Sequence, residues 1–332
     1  MKADVLVAEI GSTTTLINAF CGIRSGEPKF IGQGQAPTSV LEGDVRIGLN
    51  GAIEDLKANL GADKIEYGEM LATSSAAGGL RMCVHGLVYD MTVKAAEAAA
   101  LGAGAIVTMA TAGKLSEYDI EDLKEAKPNL ILLAGGTDYG EKETALFNAR
   151  MIAASGVKAP VIYAGNVQNK RAVEDIFQKA GISCTVTENV YPKLDKLNIE
   201  PARKIIHQVF EEHIIKAPGM EHIRDMVTGH IMPTPGAVME AVQLAYNEIG
   251  DVVAVDIGGA TTDVHSVTGG SEEIGILLTT PEPFAKRTVE GDLGLYVNAK
   301  NLVERIGADA LSAELGIDMD CLLYTSPSPR DM

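Results

Sequence analysis

Tryptophan is absent from this 332-residue chain and aromatic residues make up only 5% of it, yet 46% is apolar. That is ordinary for a water-soluble protein of enzyme size, and the length favours two lobes over a single core. Basic residues are scarce: 28 Lys and Arg stand against 45 Asp and Glu, for a net charge of −17 and a pI near 4.8. With no Lys/Arg run longer than two, such a chain repels a nucleic-acid backbone or an anionic bilayer, so neither is an expected partner. Cysteine is sparse and scattered. Cys21, Cys83, Cys184 and Cys321 form no Cys-x-x-Cys pair, which fits free thiols in a reducing compartment better than a disulfide frame or a zinc site. No apolar run is long enough to span a membrane, because Ala95 to Gly113 is mostly Ala and Gly and carries Glu97. It reads as a buried helix. The text enters a strand by residue 4, so no signal sequence is expected, and a cytoplasmic location follows.

Familiar catalytic motifs are missing too. No Gly-x-x-x-x-Gly-Lys-Ser/Thr loop occurs, and Gly102-Ala103-Gly104 lacks the third glycine and preceding strand of a dinucleotide loop. There is no His-Glu-x-x-His, and the six histidines do not cluster at ligand spacing. His265 reads as a packed or exposed histidine rather than a base.

What the chain does have is one pattern written twice. Val252-Val253-Ala254-Val255-Asp256-Ile257-Gly258-Gly259-Ala260-Thr261-Thr262-Asp263-Val264 reads as a strand, a glycine turn and a second strand. Val5-Leu6-Val7-Ala8-Glu9-Ile10-Gly11-Ser12-Thr13-Thr14-Thr15 places acid, Ile, Gly and two Thr in the same register. Each is expected to form a hairpin whose backbone amides are open to an anion, with a carboxylate at its shoulder. Each alone is also what an ordinary hairpin turn looks like. Two in matching register suggest similar halves sharing a cleft. Such a pair suits a nucleoside triphosphate. Gly11, Ser12, Thr13, Thr14, Gly258, Gly259, Ala260 and Thr261 are the expected phosphate contacts, and Glu9 and Asp256 the acids on the Mg²⁺ side. Asp263 either orients water or metal, or caps the hairpin.

Between the hairpins the spacing predicts strands over 4–10, 14–20 and 28–34, a helix over 46–60 ended by Gly61, and a strand over 65–73. Ser74 to Arg81 is a small-residue loop that either approaches a ligand or crosses a crowded interface. Strands at 130–134, 161–164 and 184–187 alternate with helices at 142–155 and 170–180, which predicts a parallel sheet. In its first loop Gly135, Gly136 and Asp138 either contact nucleotide or substrate or only make a sharp turn. A helix over 201–216, a break at Pro233-Thr234-Pro235 and a helix from Pro235 to Ile249 follow, with a lobe boundary expected at 230–235. Beyond the second hairpin we expect a strand near 275–279, a loop over 289–294 and a helix over 298–306. Glu290 and Asp292 support metal or water, or form a solvated acidic turn. Residues 321–332 change character abruptly and resemble translated library-adapter sequence; they read as non-native and are set aside, which implies that the natural chain continues past Asp320.

The paired hairpins resemble the two phosphate motifs of the actin, sugar kinase and Hsp70 superfamily. More narrowly, Ser74–Met82, Leu133–Asp138, Val161–Asn166 and Lys286–Gly294 resemble the glutamate mutase L (GlmL/MutL-type) family over residues 1–320. That resemblance implies an α/β, actin-like ATPase (ribonuclease H-like) duplicated fold with its second half incomplete. Residues 1–235 would form a first lobe with an α/β insertion at about 65–190, and 236–320 part of a second. It implies ATP and Mg²⁺ as cofactors, weak ATPase activity, and a chaperone-like role in reactivating an adenosylcobalamin-dependent mutase of glutamate mutase or ornithine aminomutase type. Glu9 stands where the superfamily usually has Asp. Its adenosine motif is not found before residue 320, and Gly135-Gly136 comes too early in the chain for that role. Other readings are an ATP-dependent metabolite kinase or hydantoinase-type hydrolase, for which no further acid–base group appears, a dehydratase electron activator, against which the scattered cysteines count, and a non-catalytic scaffold subunit.

Overall fold

The computed structural model describes residues 1–76, 79–278 and 281–316. The opening text folds as its period of two dictates: β1 (Lys2–Ile10), β2 (Thr14–Cys21) and β3 (Lys29–Pro37) form an antiparallel meander. Helix α1 (Val45–Leu60) starts where the Asp44 carboxylate accepts from the Arg46 amide and ends at Gly61 in the left-handed region. Its buried stripe of Val45, Leu49, Ala52 and Leu56 lies on the meander. Contact is so close that a Cβ on Gly34 would sit 2.1 Å from the Ala52 carbonyl oxygen. Strand β4 (Glu66–Ser74) then returns parallel to β1.

A second sheet follows from β5 (Arg81–Gly86), α2 (Lys94–Gly102), β6 (Ile106–Ala112), α3 (Glu117–Ala126), β7 (Leu130–Leu133), α4 (Glu143–Ala154), β8 (Val161–Tyr163), α5 (Lys170–Lys179) and β9 (Cys184–Val186). All its pairings are parallel, in the order β6-β5-β7-β8-β9. Uninterrupted burial of Leu130 to Leu133 is what a sheet covered on both faces requires. Helix α6 (Glu200–Ile214) leads to β10 (Ile231–Pro233), which joins the first sheet beside β4. Helix α7 (Thr234–Ile249) begins there and packs on a three-stranded antiparallel sheet of β11 (Val252–Ile257), β12 (Thr262–Val267) and β13 (Ala285–Glu290). Helices α8 (Glu272–Leu277), α9 (Ala299–Ile306) and α10 (Ala308–Leu315) complete the described chain. The result is a mixed α/β fold with parallel strands in two of its three sheets.

Two sequence expectations are corrected. Ala95–Gly113 is not one helix: the left-handed Gly104 (φ 83°) ends α2's exit turn, and the β-branched Ile106-Val107-Thr108 continues as β6. No strand lies at 275–278. The apolar Ile276 and Leu277 belong to α8 and are exposed, and the third strand of that sheet is β13; Thr279 lies outside the described residues. Strands β5 and β6 and helix α3 were not expected; α3 carries a capping box at Ser116 and Asp119. Cys21, Cys83 and Cys184 are free thiols, and Cys321 with the rest of the 321–332 tail falls outside the described residues. Among those described, no helix is long and apolar enough to cross a membrane.

Candidate functional site

The two hairpins turn in the same way. Gly11 donates its amide to the Thr14 carbonyl at 3.0 Å, and Gly258 donates to that of Thr261 at 2.8 Å. At each tip the carbonyls are consumed by a neighbouring loop. Thr38 donates its amide to the Thr13 carbonyl (2.9 Å) and its hydroxyl to that of Gly11 (2.8 Å). On the second hairpin the Gly258 and Gly259 carbonyls accept from the amides of Leu295, Tyr296 and Val297, and Ala260 accepts from the Asn298 side chain at 2.7 Å. The amides of Ser12, Thr13, Gly259 and Ala260 have no acceptor among the described residues, so each tip keeps a donor edge of the kind that can bind an anion.

These tips meet. A Cβ on Gly259 would lie 2.8 Å from the Thr13 hydroxyl, and one on Gly294 would lie 2.4 Å from the Ala260 carbonyl carbon, so the second tip is gripped from both sides. Between them opens a cavity of about 430 Å³ lined by Glu9, Gly11 to Thr14, Asp256, Gly258 to Thr261 and Asp263. That volume lies within the range of roughly 300–1,000 Å³ common for ligand cavities. Every hairpin residue expected from the sequence therefore faces one space. Ser74, Ser75, Gly79, Gly104 and Thr234 line it as well, so the small-residue loop approaches the cavity; Ala77 and Gly78 lie outside the described residues.

Three of the open readings narrow. Gly135 and Gly136 are not at this cavity: with φ of 142° and 69° they make the sharp turn after β7, and Asn189 donates to the Gly136 carbonyl at 3.0 Å. Asp138 serves the same turn, accepting from the Val167 amide (2.9 Å) and Asn189 (3.1 Å). Asp263 lines the cavity but is taken up by a residue that sequence reasoning missed. Arg287, from β13, reaches its Oδ1 with Nε at 2.8 Å and Nη2 at 2.6 Å, both side chains being buried. This is an ion pair rather than a free metal ligand. The signal was a lone Arg at an inward position of an alternating strand, and only the β12–β13 register shows what it meets. Glu290 is not in the loop expected over 289–294 but is exposed at the end of β13, paired with Thr262, and Asp292 lies in the exposed turn after it, 3.6 Å from exposed Arg305. His265 is fully buried, and burial first, then Arg287, hold its pKa below the usual value.

Half-buried Glu9 and Asp256 line the cavity at the shoulders of the two hairpins. Among the described residues no three His, Cys, Asp or Glu side chains gather as a metal site. A hard divalent ion held by two carboxylates and completed by water and phosphate oxygens, as Mg²⁺ usually is beside a nucleotide, fits this donor set. The tip amides and the hydroxyls of Thr13 and Thr14 are the donor types that fit phosphate oxygens, whereas the Thr261 hydroxyl is given to Asp263.

Residues 5–324 match the family model described as MutL protein. A curated relative, Protein MutL of Clostridium tetanomorphum, is 46% identical over 285 residues, which cover 83% of this chain and 62% of the relative; the chain thus spans about three-fifths of that protein's length. Among solved structures, a glycerol dehydratase reactivase aligns over 95% of this chain and 54% of its own at 13% identity, with a TM-score of 0.17, too slight a likeness to carry an argument.

Proposed function

The chain belongs to the MutL protein family, and on that premise we propose that it is an ATP-binding factor that reactivates an adenosylcobalamin-dependent mutase of glutamate mutase or ornithine aminomutase type. The observation that carries the nucleotide half of this reading is the convergence of two hairpin tips with unpaired amides on one cavity flanked by Glu9 and Asp256. The mutase half rests on the family and on the resemblance of its motifs. In this reading the tips belong to two actin-like lobes, residues 1–235 and 236–320, the second of them incomplete.

The residues would act by position. Backbone amides of Ser12 and Thr13 on one side, and of Gly259 and Ala260 on the other, donate to phosphate oxygens, while Thr14 supplies a hydroxyl and Thr261, whose hydroxyl is given to Asp263, lines the cavity beside them. Glu9 and Asp256 hold Mg²⁺, largely through water. ATP, when bound, supplies the phosphoanhydride whose hydrolysis makes the cycle directional. Because each tip contributes donors to the same anion, filling the cavity draws the hairpins together, and that closure would alter affinity for an inactivated mutase. Turnover without the partner is slow, since nothing beyond positioning and charge neutralisation is offered to the attacking water.

Titration calorimetry of Mg·ATP into this chain and into the full-length protein tests the first half, with Asp256→Ala weakening binding at least about tenfold, or about 1.4 kcal/mol. ATP-dependent recovery of an inactivated mutase by the full-length protein tests the second. Rapid phosphorylation of a small metabolite would make the protein a kinase, and a partner effect unchanged in Asp256→Ala would make it a scaffold.

A further inference from the structure

Arg287 stands outside both hairpins, and the phosphate reading above gives it no contact. It is a buried cation of the cavity wall with several partners. From Asp263 its guanidinium extends through Nη1 to the carbonyls of Leu101 (3.0 Å) and Ala105 (3.4 Å), at and just past the C-terminal end of α2. A cation there is favoured by the helix dipole. A second buried guanidinium serves the same junction: Arg203 of α6 donates to the Ala285 carbonyl of β13 at 2.9 Å and to the Ala98 carbonyl of α2 at 3.4 Å. Position 102 has to be glycine for this, because a Cβ there would lie 2.2 Å from Arg203 Nη2. At the other end of the chain of contacts, the Thr261 hydroxyl of the hairpin tip donates to Asp263 Oδ2 at 3.3 Å. Helix α2 in turn packs on β5 and β6 of the parallel sheet.

We propose that Arg287 is the positioning residue of the second hairpin and the joint through which the state of the hairpin cavity reaches α2 and the parallel sheet. Its planar fork makes this possible: one edge holds the Asp263 carboxylate while Nη1 holds the helix end, a geometry that a lysine ammonium cannot span. Displacement of the tip toward an anion pulls on Thr261 and Asp263, and the guanidinium carries that movement to the end of α2. The proposal deepens the nucleotide reading above, but only the second arm of its test depends on that reading.

Amide hydrogen exchange on the whole chain provides the test, comparing wild type with Asp263→Asn and Arg287→Lys, and with Glu290→Gln at the exposed end of β13 as control. Without nucleotide, amides 99–106 should exchange at least about tenfold faster in both joint variants and at the wild-type rate in the control. Wild-type rates at 99–106 in the joint variants overturn the proposal, whatever the cavity binds. If Asp263→Asn does not fold, Arg287→Lys decides alone. With Mg·ATP, wild type should gain protection both at the tips and at 99–106, and Arg287→Lys should keep the first and lose the second. Protection at 99–106 that survives in Arg287→Lys overturns the transmission. Absence of protection at the wild-type tips instead defeats the nucleotide reading and leaves the first arm to judge the joint.

Discussion

The two hairpins share their text and their turn but not their seat. On β1, Leu6, Ala8 and Ile10 are completely buried in one core with Leu49, Ala52 and Leu56 of α1. Their counterparts on β11, Val253, Val255 and Ile257, are 67%, 55% and 48% exposed, because α7 covers only the opposite face of that sheet. The second strands differ inversely. Where the first hairpin places Leu16 in the core, the second places Asp263 and neutralises it with Arg287. Equivalent local sequence therefore delivers the same amides and a shoulder acid, Glu9 in one and Asp256 in the other, to the cavity from two supports. The first hairpin is anchored by apolar packing, the second by a buried ion pair tied to α2. A hairpin held by a few directional bonds can be repositioned by changing them, whereas one held by a core cannot.

The largest expected effect would break this contrast at its centre. Asp263→Leu, which gives the second hairpin the residue type of Leu16, leaves Arg287 buried without its partner and should cost about 3–5 kcal/mol in urea unfolding. Adding Arg287→Leu should return at least half of the loss. A single-variant cost under about 1 kcal/mol would show that the pair does not anchor the hairpin. Next in size, Leu6→Ala should cost about 3 kcal/mol, while Val253→Ala should cost less than about 0.5 kcal/mol. Equal costs would mean that the β11 face is covered in solution.

The smallest effect is one of pH. His265 is buried, and neither ring nitrogen has a hydrogen-bond partner in the described structure; its counterpart on the first hairpin, Asn18, accepts from Gln33. Burial, with Arg287 adding to it, lowers the folded pKa of His265 below the ordinary 6.5, so the unfolded chain binds the proton more readily. The contribution of this residue is complete above that ordinary value and is lost as pH falls below it toward the folded pKa. Exchange at 262–267, corrected for its intrinsic pH dependence, should therefore rise on acidification while that at 14–20 holds. His265→Gln should flatten the difference; an unchanged pH profile in that variant would place the sensitivity elsewhere.

Much of the architecture was legible because its causes are local. Alternation in 4–10 and 14–20, Gly61 after a helical stripe, and the strand–helix text of 130–187 each carry their own period and stop signal. The errors arose where local signals have two meanings. Ala95–Gly113 has one composition throughout, yet Gly104 and the β-branched run after Ala105 divide it into α2 and β6. Ile276 and Leu277 have the hydrophobicity of a strand but lie on a short exposed helix. Gly135-Gly136 has the text of a phosphate loop, and a turn that must fit against Asn189 and Glu141 uses the same two residues.

By itself the sequence determined the two turns, the donors and acids they carry, and the family, because hairpin geometry follows from residues adjacent in the chain. Only the tertiary structure decided that the tips face one another across a single cavity, that Gly135 and Gly136 do not, and that Asp263 belongs to Arg287. Those outcomes depend on sheet order and strand register between segments up to about 250 residues apart, set by which surfaces must be buried together, and no local pattern records them.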